Sequence, residues 1–253
     1  MYKQIIVKKP SNSFVNGLTT VNLGKPNIEK VLEQHNDYVE AMKKAGVSVK
    51  VLERDENYPD STFVEDPAVV TERFALITHP GAETRKGETI AIHHALQEFR
   101  DIFYTIEAPG TVEGGDVLQI DDHFYIGLSN RTNELGANQF KAIMEDEGYN
   151  VTIVKLKEFF HLKTGITYLG DRRVIAAGEF IDHPDFKEYE QITVPSEEEY
   201  AANCLRVNDV VIMPKGYPIT KEKIESVGYK TIEVEMSEFR KQDGGLSCLS
   251  LRF

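Results

Sequence analysis

Four short apolar hairpins that share one form constrain the fold of this chain more than any other feature. Each has a strand, a tight polar turn and a second strand, and their sequences are AVVTERFALI, VLQIDDHFYI, ITYLGDRRVIAAG and LRVNDVVIM. Polar turns between β-branched and aromatic residues are typical of β-hairpins. Three of the hairpins precede a helix-like segment and another apolar strand. The recurring unit is therefore a strand, a strand, a helix and a strand.

The two ends of the chain supply a fifth unit. The N-terminal region predicts a strand at Gln4–Lys8, a helix at Asn27–Ala45 and a strand at Val47–Leu52, but it lacks the first hairpin strand. The C-terminal segment LSCLSLRF can provide that strand, and only the unit with Pro184 lacks a regular helix pattern. Units of about 40–50 residues predict a ring closed through the termini, because an open stack would leave apolar edges uncovered. We expect a five-bladed α/β propeller, formed by one domain over residues 1–253, with a mixed α/β sandwich as the alternative.

Chemically active side chains stand just before the hairpins, in the segments FVEDPAVV, TVEGGDVL, FFHLKTGI and GGLSCLSL. Glu65, Glu113 and His161 are evenly spaced along the chain. In a closed ring, equivalent strand starts converge on one end of the central channel. The pattern therefore predicts that Glu65–Asp66, Glu113, His161 and Cys248 face one cavity, with Cys248 on the strand that closes the ring.

These residue types suit nucleophilic catalysis. Cys248 follows Gly244–Gly245, which would let the backbone approach a substrate, and its thiolate would need a neighbouring imidazole or a bound cation. His161 is the candidate general acid and base, and Glu113 is its candidate partner. Cys204 lies in a predicted strand without such company and is expected to be structural.

The charged side chains indicate a cationic small molecule. Asp60, Glu65 and Asp66 would face a cation, most naturally a planar guanidinium held by paired hydrogen bonds. Arg85 and Arg131 each lie a few residues past the second strand of a hairpin and could bind a substrate carboxylate. The net charge of −12 disfavours nucleic acid and anionic membranes as partners. Together these residues suggest a guanidinium with an amino-acid tail.

Several classes of protein are disfavoured. No apolar run reaches the roughly 20 residues that span a bilayer, and the N-terminal apolar run is too short for a secretory signal. With two cysteines and no CxxC or HExxH motif, neither a disulfide framework nor a metal site is expected. We predict a cytoplasmic protein. We also expect His35, His79, His123 and His183 to be ordinary surface residues.

The segments FVEDPAVV, TVEGGDV, the His161 segment and the terminal DGGLSCLS resemble the dimethylarginine dimethylaminohydrolases. This family belongs to the guanidine-modifying superfamily, which has the five-bladed pentein propeller. The resemblance runs the whole length of the chain. The helical domain expected in arginine deiminases is absent, and the C-terminal segment differs from their GGPRCMS-like pattern.

The resemblance implies a hydrolase that needs no cofactor. Cys248 would attack the guanidinium carbon of a mono- or dimethylated arginine and expel methylamine or dimethylamine, leaving a covalent S-alkylthiouronium. His161 would protonate the leaving amine and then activate water to release citrulline, with Glu113 contacting the guanidinium and supporting the proton transfers. A deiminase for another guanidine, an amidino transferase and a non-catalytic binding protein are the alternatives.

The resemblance also implies the substrate contacts. Leu18, in the segment NGLTTVNLG, would be the lid residue that closes over the substrate. Backbone groups around Gln242–Asp243 would receive the α-amino group. Members of the family often form homodimers, although the sequence defines no interface. The remaining implied binding residues are Asp60 and Asp66 with Glu65 nearby for the guanidinium, and Arg85 and Arg131 for the carboxylate.

Overall fold

The computed structural model, which describes residues 1–253, contains five three-stranded sheets. The strands are β1 (Gln4–Lys8), β2 (Ser48–Leu52), β3 (Ala68–Val70), β4 (Ala75–Ile77), β5 (Phe103–Thr105), β6 (Val117–Ile120), β7 (His123–Leu128), β8 (Asn150–Lys155), β9 (Ile166–Gly170), β10 (Arg173–Ala176), β11 (Glu190–Thr193), β12 (Leu205–Val207), β13 (Val210–Pro214), β14 (Lys230–Val234) and β15 (Leu251–Arg252). The helices are α1 (Ile28–Lys44), α2 (Glu88–Leu96), α3 (Glu134–Asp146), α4 (Leu162–Gly165), α5 (Pro218–Ser226) and α6 (Ser237–Arg240).

Every sheet repeats one topology. Its middle strand pairs antiparallel with the inner strand and parallel with the outer one, as β7 does with β6 and β8. In four blades an α-helix connects the two parallel strands. In the blade of β9–β11 this connection holds only 3₁₀ turns, one of which starts at Pro184. All four predicted hairpins are thereby confirmed, as is the irregular unit.

Local sequence explains these boundaries. Asp121, Asp171 and Asn208 have φ values of 53–54° in the hairpin turns, a left-handed conformation that Asp and Asn adopt more readily than other residues with side chains. The side chain of Asn27 accepts a hydrogen bond from the backbone N–H of Lys30 and caps the start of α1. The apolar pattern of the segment ETIAIHHALQEFR predicts a helix over Glu88–Arg100, but α2 ends four residues earlier, at Leu96.

The two termini close the ring as predicted. Strand β15 pairs antiparallel with β1, with Ile5 opposite Arg252 and Ile6 opposite Leu251. Contacts between inner strands join neighbouring blades, since β15 contacts β3, β6 contacts β9 and β9 contacts β12. One detail needs correction. Cys248 lies in a 3₁₀ turn, Ser247–Leu249, just before the closing strand and not within it.

Apolar side chains fill the space between blades and under the helices. One cluster joins Leu118 of β6 to Val174 of β10, and another joins Val7 of β1 to Ile212 of β13. The prediction of a surface position for His35 is wrong, because its side chain lies on the buried face of α1 and burial lowers its pKa to about 4. None of the helices combines the length and the apolar character that crossing a bilayer requires.

Candidate active site

A small cavity lies where the inner strands begin, at one end of the ring. Part of its wall comes from residues 17–20 before α1, which we call the lid, and part from the turn that precedes β15. The structure therefore brings together residues from widely separated parts of the chain. Glu113, which was also predicted to face the cavity, is fully buried beside His161 and does not line it. The predicted site residues that line it are Leu18, Asp60, Asp66, Arg85, Arg131, His161 and Cys248.

Cys248 is held as a neutral thiol. Its side chain is buried, and its Sγ accepts a weak hydrogen bond from the backbone N–H of Gly245 at 3.5 Å. Burial, with the negative charges of Glu65 and Asp66 in support, raises the pKa of Cys248 to about 12. The structure shows no hydrogen bond between this thiol and an imidazole. Ionisation of the thiol therefore requires an additional positive charge in the cavity.

The glycine pair before Cys248 is needed for packing. A β-carbon on Gly244 would lie 2.5 Å from the ring of Phe63, and one on Gly245 would lie 2.5 Å from the side chain of Asn203. Neither glycine has a left-handed backbone. The two glycines thus let the cysteine turn approach its neighbours closely, which differs in detail from the predicted approach to a substrate.

His161 and Glu113 form a buried ion pair. The Nε2 of His161 lies 2.9 Å from Oε2 of Glu113, and these residues are 48 positions apart in the sequence. His161 precedes α4, where its backbone N–H donates to the hydroxyl of Thr164 at 3.1 Å. The ring is therefore fixed by the start of a helix at one side and by a carboxylate at the other.

The charges around this pair set its protonation. Burial would lower the pKa of His161, but the charges of Asp116 and Asp66 and the hydrogen bond to Glu113 outweigh it and raise the pKa to about 9. Burial would likewise raise the pKa of Glu113, but the hydrogen bond and charge of His161, with Arg85 and Arg131 in support, lower it to about 2. At neutral pH the pair is an imidazolium and a carboxylate, which equips His161 to donate a proton.

Asp116 supports His161 from behind, a role that the sequence did not reveal. Its carboxylate accepts hydrogen bonds from the backbone N–H of Leu162 at 3.1 Å and from the hydroxyl of Ser129 at 2.6 Å. The preceding Gly115 has no room for a side chain, because its β-carbon would lie 2.6 Å from Nδ1 of His161. Asp and Gly are also common turn residues, so the sequence alone cannot separate the two roles.

The two predicted carboxylate-binding arginines differ in their free donors. Arg85 donates through Nε and Nη2 to Glu88, through Nη1 to Asp66 at 2.6 Å, and through Nη2 to the carbonyl of Phe63. A guanidinium has five N–H donors, so Arg85 has about one left for a ligand. Its part in binding a substrate carboxylate therefore stays a prediction, with at most about one hydrogen bond available for it. Arg85 orients Asp66 and compensates the charge of Glu88.

Arg131 is available for a ligand. Its guanidinium makes no hydrogen bond within the protein, although Nη1 lies 3.6 Å from Oε1 of Glu113. The cation lies over the ring of Phe160, with 5.1 Å between the guanidinium carbon and the ring centre. Its backbone N–H donates to the hydroxyl of Ser129, which also contacts Asp116. Arg131 is therefore the arginine of the pair that retains donors for a substrate carboxylate.

Glu65 is the predicted binding residue that the structure places elsewhere. Its side chain faces a second cavity, on the opposite side of the cysteine turn, and accepts from the hydroxyl of Ser247 at 2.8 Å. Burial would raise the pKa of Glu65, but Lys163 and Arg252, at 2.7 and 2.6 Å, lower it. Glu65 is thus a buried anion whose oxygens already contact Ser247, Lys163 and Arg252, and its predicted contact with a substrate stays a prediction. Its even spacing with Glu113 reflects the repeat.

Asp60 joins the lid to the cavity. Its Oδ1 accepts a hydrogen bond from the backbone N–H of Leu18 at 3.0 Å. Burial raises the pKa of Asp60, and the positive charge of Arg85 partly opposes this. The side chain of Leu18 is 39% exposed, which fits a residue at the rim of the cavity.

One group of side chains has the composition of a metal site. Donor atoms of Asp66, Glu113 and His161 lie within 4.8 Å of one another. Metal ligation requires a deprotonated imidazole nitrogen. Because His161 is an imidazolium paired with Glu113 at neutral pH, these residues fit an organic cation better, and we assign no metal to them.

A closed ring of five blades, with a thiol, an imidazolium and carboxylates converging at one end, defines a pentein of the guanidine-modifying type. The chain matches the model of a family described as "N,N dimethylarginine dimethylhydrolase, eukaryotic" over residues 8–249. It belongs to the dimethylarginine dimethylaminohydrolase family, as the sequence resemblance predicted.

Individual relatives agree with this assignment. An N(G),N(G)-dimethylarginine dimethylaminohydrolase of Pseudomonas aeruginosa is 52% identical, with full coverage of both chains. One of Streptomyces coelicolor is 36% identical over 99% of this chain and 96% of its own. A solved structure of the P. aeruginosa protein, a cysteine-to-serine mutant complexed with citrulline, superimposes with a TM-score of 0.99 over the full length of both chains. The N-terminal domain of a cyanobacterial arginine dihydrolase, 22% identical, shares the fold with a TM-score of 0.87 over 100% of this chain and 97% of its own.

Proposed function

We propose that this protein hydrolyses N(G),N(G)-dimethyl-L-arginine, and the monomethyl form, to L-citrulline and dimethylamine or methylamine. The observation that carries the proposal is the convergence of Cys248, His161 and Asp66 on one cavity, with the buried Glu113 paired to His161. The activity named for the 52% identical relative supports the same reaction.

Binding of the substrate cation activates the nucleophile. A guanidinium between Asp66 and Glu113 adds a positive charge next to a thiol whose pKa is otherwise raised by burial and by anions. A nearby positive charge favours the thiolate, and the thiol proton leaves to solvent. His161 does not remove this proton, because it is already protonated.

The first covalent step forms a carbon–sulfur bond. The thiolate of Cys248 attacks the guanidinium carbon and gives a neutral tetrahedral adduct. His161 then donates its proton to the methylated nitrogen, the carbon–nitrogen bond breaks, and neutral dimethylamine leaves. The products of this step are a cationic S-alkylthiouronium on Cys248 and a neutral imidazole.

The second step hydrolyses this intermediate. Neutral His161 takes a proton from water, and the resulting hydroxide adds to the thiouronium carbon. The carbon–sulfur bond then breaks as the hydroxyl proton leaves, which regenerates the thiol of Cys248 and releases citrulline as a neutral urea. His161 is an imidazolium again, so the cycle closes without a cofactor.

The amino-acid end of the substrate lies toward the rim of the cavity. Arg131 binds its carboxylate, because this guanidinium keeps its donors free. The lid residue Leu18 covers the substrate from the other side and is anchored through Asp60. Arg85 orients Asp66 through a hydrogen bond from its Nη1. It has about one donor left, so it gives the carboxylate of the substrate at most one hydrogen bond.

The proposal is tested by incubating the protein with dimethylarginine and, separately, with arginine, and by measuring citrulline, dimethylamine and ammonia. Citrulline and dimethylamine in equal amounts from dimethylarginine support it. Citrulline and ammonia from arginine alone would show a deiminase, and an amidino product formed only with added glycine or lysine would show a transferase. No product with either substrate, and equal ligand binding by Cys248→Ser, would show a binding protein.

A mass measurement isolates the covalent step. Rapid acid quenching during turnover should trap a mass increase on the peptide that contains Cys248.

The single domain over residues 1–253, the homodimer and the cytoplasmic location remain predictions, and sedimentation of the purified protein would test the homodimer.

A further inference from the structure

Three consecutive residues beside the cavity hold the lid in place. The segment Lys241–Asp243 connects α6 to the glycine pair before Cys248, and it contacts every lid residue from Thr20 back to Gly17. The hydroxyl of Thr19 donates to the backbone carbonyl of Lys241 at 2.9 Å. One short stretch of chain therefore leads to the nucleophile and also fastens the lid.

Gln242 makes the central contact. Its side chain is 4% exposed and lines the active-site cavity. With its amide nitrogen toward the lid, it donates to the carbonyl oxygens of Leu18 at 3.0 Å and of Gly17 at 3.1 Å. The opposite orientation forms one longer hydrogen bond, from the amide nitrogen to the carbonyl oxygen of Phe14 at 3.3 Å, but places the amide oxygen against the carbonyl oxygens of Leu18 and Gly17. We assign the orientation that forms two shorter hydrogen bonds and avoids this repulsion.

The side chain of Asp243 holds the next lid residue, Thr20. Its carboxylate accepts hydrogen bonds from both the backbone N–H and the hydroxyl of Thr20. Asp243 has a left-handed backbone with φ of 56°. This conformation is uncommon for residues with a side chain, and it directs the carboxylate toward the lid while the chain turns back toward Gly244.

Leu18 is consequently held from two sides. Its N–H donates to Asp60 and its carbonyl accepts from Gln242. A carbonyl oxygen has two lone pairs, so the carbonyl of Leu18 keeps one for a ligand. An α-ammonium group, with three donors, is the part of an amino-acid substrate that such an acceptor suits.

We infer that Gln242 is a positioning residue that gives the site its preference for guanidines with an amino-acid tail. Its amide holds the carbonyl of Leu18 at the cavity wall, where the α-ammonium group of the substrate binds. This inference rests on the proposed function for the identity of the substrate. It assigns the side chain of Gln242 a part in recognition, beyond the backbone contacts expected for this segment.

The test compares probes with and without a tail. The variant Gln242→Met keeps the length of the side chain and removes both donors. We expect its KM for dimethylarginine to rise about tenfold, with kcat changed less than about threefold, since about two hydrogen bonds are lost from the lid and none from the nucleophile. Alkylation of Cys248 by 2-chloroacetamidine, a small amidine without a tail, should keep the wild-type rate.

Gln34→Met is the matched control. Gln34 is also a buried glutamine near this segment, but it donates to Ser237 and accepts from the backbone N–H of Glu238, and it does not contact the lid. We expect wild-type KM for this variant. An unchanged KM in Gln242→Met, an equal loss of turnover and of alkylation, or a similar KM increase in Gln34→Met would each overturn the inference.

Protection of Cys248 makes the test independent of turnover. In Gln242→Met, the concentration of dimethylarginine that halves alkylation should rise about tenfold, whereas the concentration of N,N-dimethylguanidine should stay the same. If the wild type is protected by both ligands but hydrolyses neither, the proposed function fails and the inference is still decided by this ratio. Should Gln242→Met melt far below the wild type, Gln242→Asn offers a second variant, because the shorter side chain stays polar but withdraws its donors from the carbonyl oxygens of Leu18 and Gly17. It should show the same selective loss, and equal loss with both ligands would contradict it.

Discussion

Replacing Glu113 by glutamine tests the charge arrangement on which the proton transfers depend. In the wild type, the pKa of His161 is raised to about 9, so roughly 90% of the imidazole is charged at pH 8. Glutamine keeps the shape of the side chain but removes the negative charge 2.9 Å from Nε2. Because Asp66 and Asp116 remain, we expect the pKa of His161 to fall to about 7–8 and not to its unperturbed value.

This change predicts a measurable loss of activity. At pH 8, roughly 10–50% of His161 would then carry the proton that the leaving amine needs. Turnover should fall about two- to ninefold from protonation alone, and the loss should shrink as the pH is lowered toward 6.5. Any larger loss that persists at low pH measures the direct contact between Glu113 and the substrate guanidinium.

Two measurements check the prediction. A heteronuclear NMR titration of the His161 ring, in a Cys248→Ser background, gives its pKa with and without Glu113. The pH dependence of kcat for Glu113→Gln gives the functional consequence. Glu198→Gln is the control, since Glu198 is also buried but caps α5 through the backbone N–H of Thr220, away from His161. An unchanged pKa of His161 in Glu113→Gln would refute the reasoning.

Three further results are expected. Cys248→Ser should abolish citrulline formation with an unchanged circular dichroism spectrum, and residual turnover above the uncatalysed rate would argue against covalent catalysis. The raised pKa of His161 stabilises the fold below pH 6.5, and this stabilisation is lost as the pH rises through about 9. The lowered pKa of Glu113 stabilises the fold above pH 4.5, and this stabilisation is lost as the pH falls toward about 2. Calorimetry should therefore show the highest Tm between about pH 4.5 and 6.5, and a Glu113→Gln protein with the same pH profile would contradict this. Arg131→Met should raise KM with little change in the free energy of unfolding. Arg85→Met should lower the free energy of unfolding by about 3 kcal/mol or more, because it leaves buried carboxylates without their cation. Denaturant titration of both variants distinguishes the two arginines.

The sequence was sufficient for the architecture because the information is local and repeated. Each hairpin carries its own turn residues, such as Asp121 and Asn208, and alternates apolar side chains on either side of them. The missing strand of the first unit and the spare strand at the C-terminus then require closure. His161 and Glu113 could be placed together from this symmetry alone, because residues that start equivalent strands must meet at one end of the channel.

The repeat symmetry does not predict which hydrogen-bond or ion-pair partner a buried charged side chain contacts. Glu65 has the same position in its unit as Glu113, yet Lys163 and Arg252 bind it on the far side of the cysteine turn. Arg85 occupies a place equivalent to that of Arg131, but Glu88, one helical turn further on, takes most of its donors. Such choices depend on distances of a few tenths of an ångström between buried groups. No pattern of residue types specifies them.

The electrostatics of the cavity also make formation of the nucleophile depend on the charge of the bound ligand. Burial and the charges of Glu65 and Asp66 keep Cys248 as a thiol until a cation arrives, so the nucleophile is formed only when a guanidinium or amidinium is bound. The citrulline product is a neutral urea. It cannot compensate the charge of a thiolate, so the thiol re-forms as the product does. Adding the cation N,N-dimethylguanidine should therefore increase the ultraviolet absorbance of the Cys248 thiolate at neutral pH, and adding the neutral dimethylurea should not. Equal responses to the two ligands would show that the charge of the ligand does not cause ionisation of the sulfur.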